Sequence, residues 1–210
     1  MFYSTLEFIT KSGKKGEIRS VRVEESAKII EVRDKIYTET EFLIRRPGDP
    51  MVSLYEEEQY VSKVMDSKTD CLLGAYVDGE LVGIGGINMV GQNKKVVAHR
   101  ATMGISILKD YWNDGIGSRL LEAIIELGIR VGYEQIELEV VTENERAIKL
   151  YEKYGFRIYG TRPHAMKEED GRYKDEHLMV KELIGKFEPE EKSTDYLADW
   201  IEEQGIQLRY

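Results

Sequence analysis

The 210-residue sequence predicts a mixed α/β fold of the α+β kind, in which an antiparallel meander leads into one parallel strand–helix–strand crossover within a twisted mixed sheet. Three observations carry that prediction. Two apolar runs, 71–77 and 80–87, flank Asp78-Gly79, a dipeptide that tolerates positive φ and so marks a two-residue hairpin turn. The aliphatic, β-branched run Met103–Leu108 feeds a glycine-bearing turn, after which apolar residues recur at 116, 120, 121, 124, 125, 127 and 129, a helical spacing. The alternating run 134–141 follows that helix, so strand, helix and strand read as a parallel crossover.

The remaining elements follow in order. Residues 2–9 and 17–23 alternate around the polar stretch Lys11–Gly16, which predicts an N-terminal hairpin. From Glu24 the spacing turns helical through Ala27, Ile29, Ile30, Ile36 and Tyr37 to about Thr40, with Glu24 and Glu25 suited to the positive end of the helix dipole. Pro47 and Pro50 stiffen the connection, and Ser53 opens a second helix as N-cap, with Glu56 as its capping-box partner. Residues 91–95 turn the chain into Val96–Thr102, expected to continue into the central strand. Beyond Phe156, residues 157–161 and 177–180 predict a closing hairpin. The expected organisation is one domain, 1–184, with hairpin 1–23 ahead of a core at 24–184, followed by a helical extension at 185–210. That extension packs on the domain or on a second copy, so a homodimer stays open.

Composition narrows the partners. A hydrophobic content of 41% and an aromatic content of 10% suffice for one core. A net charge of −9 and a pI near 5.1 argue against a general nucleic-acid or anionic-membrane binder and mildly favour cationic amines. Cys71 is the single cysteine, which rules out an intrachain disulfide, and His99, His164 and His177 lack metal-ligand spacing, so no metal is expected. No apolar run has bilayer length, and Glu7 comes too early for a signal peptide; a cytoplasmic location is the expectation.

The chemistry concentrates at Thr102–Leu121. A strand that enters a glycine turn and then a helix aims unpaired N–H groups at one point, and the helix dipole favours an anion there. A P-loop would need Gly-Lys-Ser/Thr where Gly117-Ser118-Arg119 stands, and a dinucleotide fingerprint would need glycine at Leu120. What remains is Trp112-x-x-Gly115-x-Gly117. A second motif follows the next strand: Asn144-x-x-Ala147-x-x-Leu150-Tyr151-x-x-x-Gly155-Phe156.

Together the two motifs resemble the signatures of the Gcn5-related N-acetyltransferases, with Trp112 where that family usually has Gln or Arg. The resemblance implies a twisted sheet of about seven strands with helices on both faces, and an enzyme that passes the acetyl group of acetyl-CoA to a primary amine of a small molecule or peptide. It implies that the amides of Asn113, Asp114, Gly115, Ile116, Gly117 and Ser118 hold the diphosphate. Two parallel strands would splay to admit pantetheine against the backbone of Ile105 and Ile107, with Asn144 and Ala147 nearby. Tyr151 would be the general acid toward sulfur, and Arg119 and Lys153 are candidates for the 3′-phosphate. Tyr37, Glu39, Glu41 and Phe42, between the first two helices, would face the acceptor.

Each assignment has a plainer alternative. Ala147, Leu150, Tyr151 and Tyr154 share a helical face that core packing alone explains, and asparagine is a common helix N-cap. Glu137, Glu139 and His99 are near the central strands, and none of them is singled out as a general base. A catalytically silent acetyl-CoA sensor and another kind of nucleotide-binding domain remain the rival readings.

Overall fold

The computed structural model describes residues 2–50, 52–91 and 94–183. The expected helix within 185–210, and with it the question of a second copy, lies outside the described residues. The N-terminal hairpin pairs β1 (Leu6–Ile9) with β2 (Lys15–Ser20), shorter than the alternation suggested. Val23–Glu25 then form a 3₁₀ turn before α1 (Ser26–Glu39). Glu25 therefore serves less as a dipole partner than as a hub: its carboxylate accepts from Arg19, the Tyr76 hydroxyl and the Arg22 amide. Helix α2 (Leu54–Asp66) begins with the predicted Ser53–Glu56 capping box.

Strands β3 (Cys71–Val77) and β4 (Glu80–Met89) meet at Asp78 and Gly79, whose φ values of 50° and 86° fit the primed turn. One expectation fails next. Lys95–Val97 curl into a 3₁₀ turn with Val96 exposed, and β5 starts only at Arg100, running to Ile107. β-branched residues favour strand only when a neighbour accepts their hydrogen bonds, and the register of β4 against β5 reaches no further than Met89 and Ala101. Helix α3 (Ile116–Val131), β6 (Gln135–Val141), α4 (Glu145–Lys153) and the hairpin of β7 (Arg157–Lys167) and β8 (Tyr173–Glu182) complete the chain.

The eight strands form one open sheet in the order β1-β2-β3-β4-β5-β6-β8-β7, one more than the seven expected. Only β5 and β6 are parallel. Helix α3 packs along β2 to β6, while α1 and α2 pack on each other and against β3, β4 and β5, which leaves them on the opposite face. Apolar burial explains the arrangement: Leu120, Leu121, Ile124, Ile125 and Leu127 of α3 are fully buried, as are Ile29 and Val61 of α1 and α2. No helix among the described residues is long and apolar enough to cross a membrane.

The parallel pair determines where a ligand can enter. β5 and β6 are in register only from Arg100 to Thr102 against Gln135 to Glu137. Past that point the two strands no longer pair with each other, while β6 stays paired with β8 along its whole length and β5 with β4.

Candidate active site

The turn between β5 and α3 is built by two residues with positive φ, Asn113 at 65° and Gly115 at 90°, with Gly115 as the N-cap of α3. Asparagine and glycine are the residue types that reach this region at low cost. Gly117 lets α4 come close: a Cβ there would lie 3.2 Å from the Leu150 side chain, which would have to give by a few tenths of an ångström. Among the described residues, the main-chain amides from Asn113 to Ser118 donate to no protein acceptor. They border a cleft of about 360 Å³ that lies between this turn, Ile105 and Ile107 of β5, and α4.

Nine of the eleven residues expected to bind cofactor or act in catalysis line that cleft: Ile105, Ile107, Asn113, Gly115, Gly117, Ser118, Asn144, Ala147 and Tyr151. Asp114 and Ile116 do not. The Asp114 carboxylate turns to the N-terminal hairpin, where it accepts from the Ser12 amide at 2.6 Å and the Ser12 hydroxyl at 2.7 Å; desolvation, the largest single influence, raises its pKa, and the hairpin's hydrogen bonds together outweigh it, so the net shift is downward. Ile116 is an aliphatic side chain at the foot of an amphipathic helix and goes to the core, 1% exposed. Their amides are what remains for a ligand.

The backbone of β5 is also correctly oriented. Val90 donates to the Arg100 carbonyl and Leu108 to the Val82 carbonyl, so the even-numbered residues of β5 bond to β4. Alternation in an antiparallel ladder then turns Ile105 and Ile107 toward the gap. One of those groups is taken: the Trp112 indole N–H donates to the Ile107 carbonyl at 2.7 Å. Trp112 thus closes the strand end, where Gln or Arg was the expected residue type, and the Arg146 guanidinium stacks 3.2 Å above its ring.

Asn144 caps α4 by accepting from the Ala147 amide at 3.3 Å, so that amide is spent and Ala147 offers the cleft its methyl. Tyr151 is 6% exposed, and its hydroxyl has no hydrogen-bond partner among the described residues. Burial raises its pKa well above the ordinary phenol value, which keeps it protonated. Its ring packs 5.8 Å from that of Phe156.

Charge in the cleft opposes that of the chain. Lys11, Arg146, Lys149 and Lys153 line it and no carboxylate does. Arg119, expected near a phosphate, instead pairs with Glu122 at 2.9 Å, its neighbour one helical turn along. Sequence reading missed Lys11, Arg146 and Lys149. Arg146 had a signal, since a cation in the first turn of a helix opposes the dipole and calls for a reason. Lys11 had none, because nothing local shows that its hairpin folds over residue 114.

The expected acceptor residues divide. Tyr37, Glu39 and Glu41 border a second, wider cleft between the α1–α2 connection and the β7–β8 loop, whose walls are tied by Arg46–Glu168 at 2.7 Å. Glu39 also accepts from the Lys109 amide at 2.6 Å, anchoring α1 beside the end of β5. Phe42 does not line that cleft; its ring lies beneath the Lys174 ammonium, 5.6 Å away. A smaller pocket at the fork contains Thr102, Glu137, Glu139 and Tyr159. Arg100 grips Glu137 at 2.5 and 2.7 Å, and Arg162 grips Glu139 at 2.6 and 3.0 Å. Among the described residues no group of three or more His, Cys, Asp or Glu could hold a metal.

Comparison with known proteins now bears on this site. The model of the acetyltransferase (GNAT) family matches residues 34–156, more than half of the chain. The chain belongs to the GNAT acetyltransferase family. The matched stretch takes in the last turns of α1, the β5–α3 turn and the Tyr151 motif, and leaves the β1–β2 and β7–β8 hairpins outside. A GNAT-family acetyltransferase from Streptococcus pneumoniae is 31% identical, with a TM-score of 0.76 over 80% of this chain and 99% of that one. The Salmonella typhimurium protein yncA, solved with its cofactor acetyl-CoA, shares the fold at 17% identity and a TM-score of 0.72, over 84% of this chain and 99% of its own. The L-amino acid N-acetyltransferase AaaT of Escherichia coli is 36% identical over 113 residues, or 52% of this chain. The chain spans 66% of AaaT's length, just under two thirds.

Proposed function

We propose that this GNAT member is an acetyl-CoA-dependent N-acetyltransferase that acts on a primary amine of a small molecule or peptide by direct attack in a ternary complex. The observation that carries this reading is a single path: free amides at one end, the outward-facing backbone of a splayed strand along its length, and the unpartnered Tyr151 hydroxyl beside it. Family membership and the cationic lining support it.

Acetyl-CoA, when bound, supplies the thioester whose acetyl group is transferred. The amides of 113–118 bind its diphosphate, and the Ile105 backbone with the Ile107 N–H aligns the pantetheine arm as an added strand would. Alignment of both reactants in one cleft removes a bimolecular entropy cost worth several kcal/mol, on the order of 7 or more in favourable cases. A main-chain N–H of β5 that faces the gap stabilises negative charge developing on the carbonyl oxygen. The amine lone pair forms the new C–N bond as the C–S bond breaks; the amine proton leaves to water, Tyr151 gives its hydroxyl proton to the departing sulfur, and the resulting tyrosinate takes up a proton from water as the products leave. Desolvation that raises the Tyr151 pKa raises that of a thiolate in the same cleft, which keeps the two matched.

The test is thiol release from acetyl-CoA with a panel of amino acids, polyamines, aminoglycosides and peptides. At least one amine should release CoA in step with its own acetylation. Binding of acetyl-CoA with no release across the panel would replace the enzyme with a sensor, and preference for ATP or NAD over CoA in thermal shift would reject both.

A further inference from the structure

The N-terminal hairpin lies outside the stretch matched by the family, yet its loop folds onto the phosphate turn. Ser12 donates both its amide and its hydroxyl to the Asp114 carboxylate, and the Lys11 amide donates to the Asp114 carbonyl at 3.2 Å. Three bonds between residues about a hundred positions apart hold the turn from its outer side. They orient the Asp114 carboxylate, which would otherwise repel an anion, away from the cleft, and they bring the Lys11 side chain to within 3.9 Å of where a Gly115 Cβ would be.

The four cleft cations are not equivalent. Lys149 is neutralised by Glu145 at 3.0 Å, and Lys153 lies over the Tyr154 ring. Lys11 has no hydrogen bond or ion pair from its ammonium among the described residues, and Arg146 has only its stack on Trp112. Two cations with no carboxylate partner among the described residues, one on the hairpin and one on α4, thus border the amide turn. CoA carries a second dianion on its ribose.

We propose that the N-terminal hairpin is a wall of the nucleotide site: Ser12 latches Asp114 to keep the amide turn open, and Lys11 together with Arg146 holds the 3′-phosphate of CoA. This rests on the acetyl-CoA reading above. The hairpin then acts as a selectivity element, because it sets a cation beside the amide turn from outside the stretch that the family model matches.

The experiment is calorimetric titration of the full chain with CoA and with 3′-dephospho-CoA. Wild type should favour CoA by roughly tenfold or more, the scale of one charge-assisted contact. Lys11→Ala should weaken CoA by about that factor and leave dephospho-CoA unchanged, while Ser12→Ala should weaken both ligands alike because it loosens the turn they share. Tight CoA binding without discrimination, or discrimination that survives Lys11→Ala, overturns the hairpin's role and leaves the acetyl-CoA reading intact. Failure of wild type to bind either CoA or acetyl-CoA overturns both.

Discussion

The cleft proposed for the cofactor and the pocket at the fork, which both use strand β5, are lined by side chains of opposite charge. The first is lined by four cations and no acid; the second is lined by Glu137 and Glu139, each paired with an arginine outside the pocket, Arg100 and Arg162. The period of a strand produces this: Ile136, Leu138 and Val140 are buried on the α3 side, and Glu137 and Glu139 project from the other. A net charge of −9 therefore says little about either pocket. On the acetyltransferase reading proposed above, the phosphates belong in the first pocket and the acceptor amine approaches from the far side of the gap.

The most severe way to break that division is at its hinge. Tyr151→Phe removes one oxygen from a hydroxyl that has no structural partner, so folding should be unaffected. We expect kcat to fall roughly 10²–10⁴-fold with little change in acetyl-CoA affinity. A steady-state comparison that finds kcat unchanged returns Tyr151 to the core, where its packing on Phe156 would be its whole role.

A smaller effect should come from the phosphate side alone. Gly115→Val places a β-branched residue at a φ of 90°, a conformation that costs about 1–3 kcal/mol and tilts the amides. Acetyl-CoA binding should weaken about 10- to 100-fold, read by calorimetry with circular dichroism as a control for folding. Equal affinity in a folded variant would show that the amides are not the anchor.

Below this comes a change confined to the acceptor side. Glu139→Gln keeps shape and removes charge, and a half-exposed carboxylate contributes modestly, about 1 kcal/mol or less. The acceptor KM should rise a few-fold, roughly 2- to 5-fold, with the acetyl-CoA dissociation constant unmoved. A shift in the cofactor constant instead would mean that the two faces are not independent.

The contrast also explains what the sequence made readable. The phosphate turn uses backbone, so its requirements appear as residue types at fixed spacing: Gly115 for positive φ, Gly117 for close approach and Asn144 for a cap. The hairpin at Asp78-Gly79 and the Ser53–Glu56 box were legible for the same reason. Side-chain chemistry assembled from distant segments was not. Ser12 reaches Asp114, Arg46 reaches Glu168 and Glu39 reaches the Lys109 amide only through the fold, and no local pattern announces such pairs. The misplaced strand at Val96 has a related cause, since β-propensity is a statement about neighbours that a single sequence does not supply.

The smallest expected effect concerns the closed end of the fork. Arg100 and Glu137 clamp the last paired residues of β5 and β6, and the Arg100 guanidinium, with Gln135 beside it, holds the Glu137 carboxyl below the usual carboxylate range against the opposing desolvation. A depressed folded pKa means that the unfolded chain takes up this proton first as pH falls. The clamp's contribution is therefore full above the ordinary carboxylate value, and it is lost as pH drops through that value toward the folded one. At pH 7 Glu137→Gln should lower stability by about 1 kcal/mol, a typical figure for a partly exposed pair. The difference in melting temperature between wild type and variant should narrow below about pH 4, where the unfolded carboxylate begins to protonate. A difference independent of pH would assign Glu137 to packing, and the closed end of the fork would then rest on the backbone pairing of Arg100–Thr102 with Gln135–Glu137 alone.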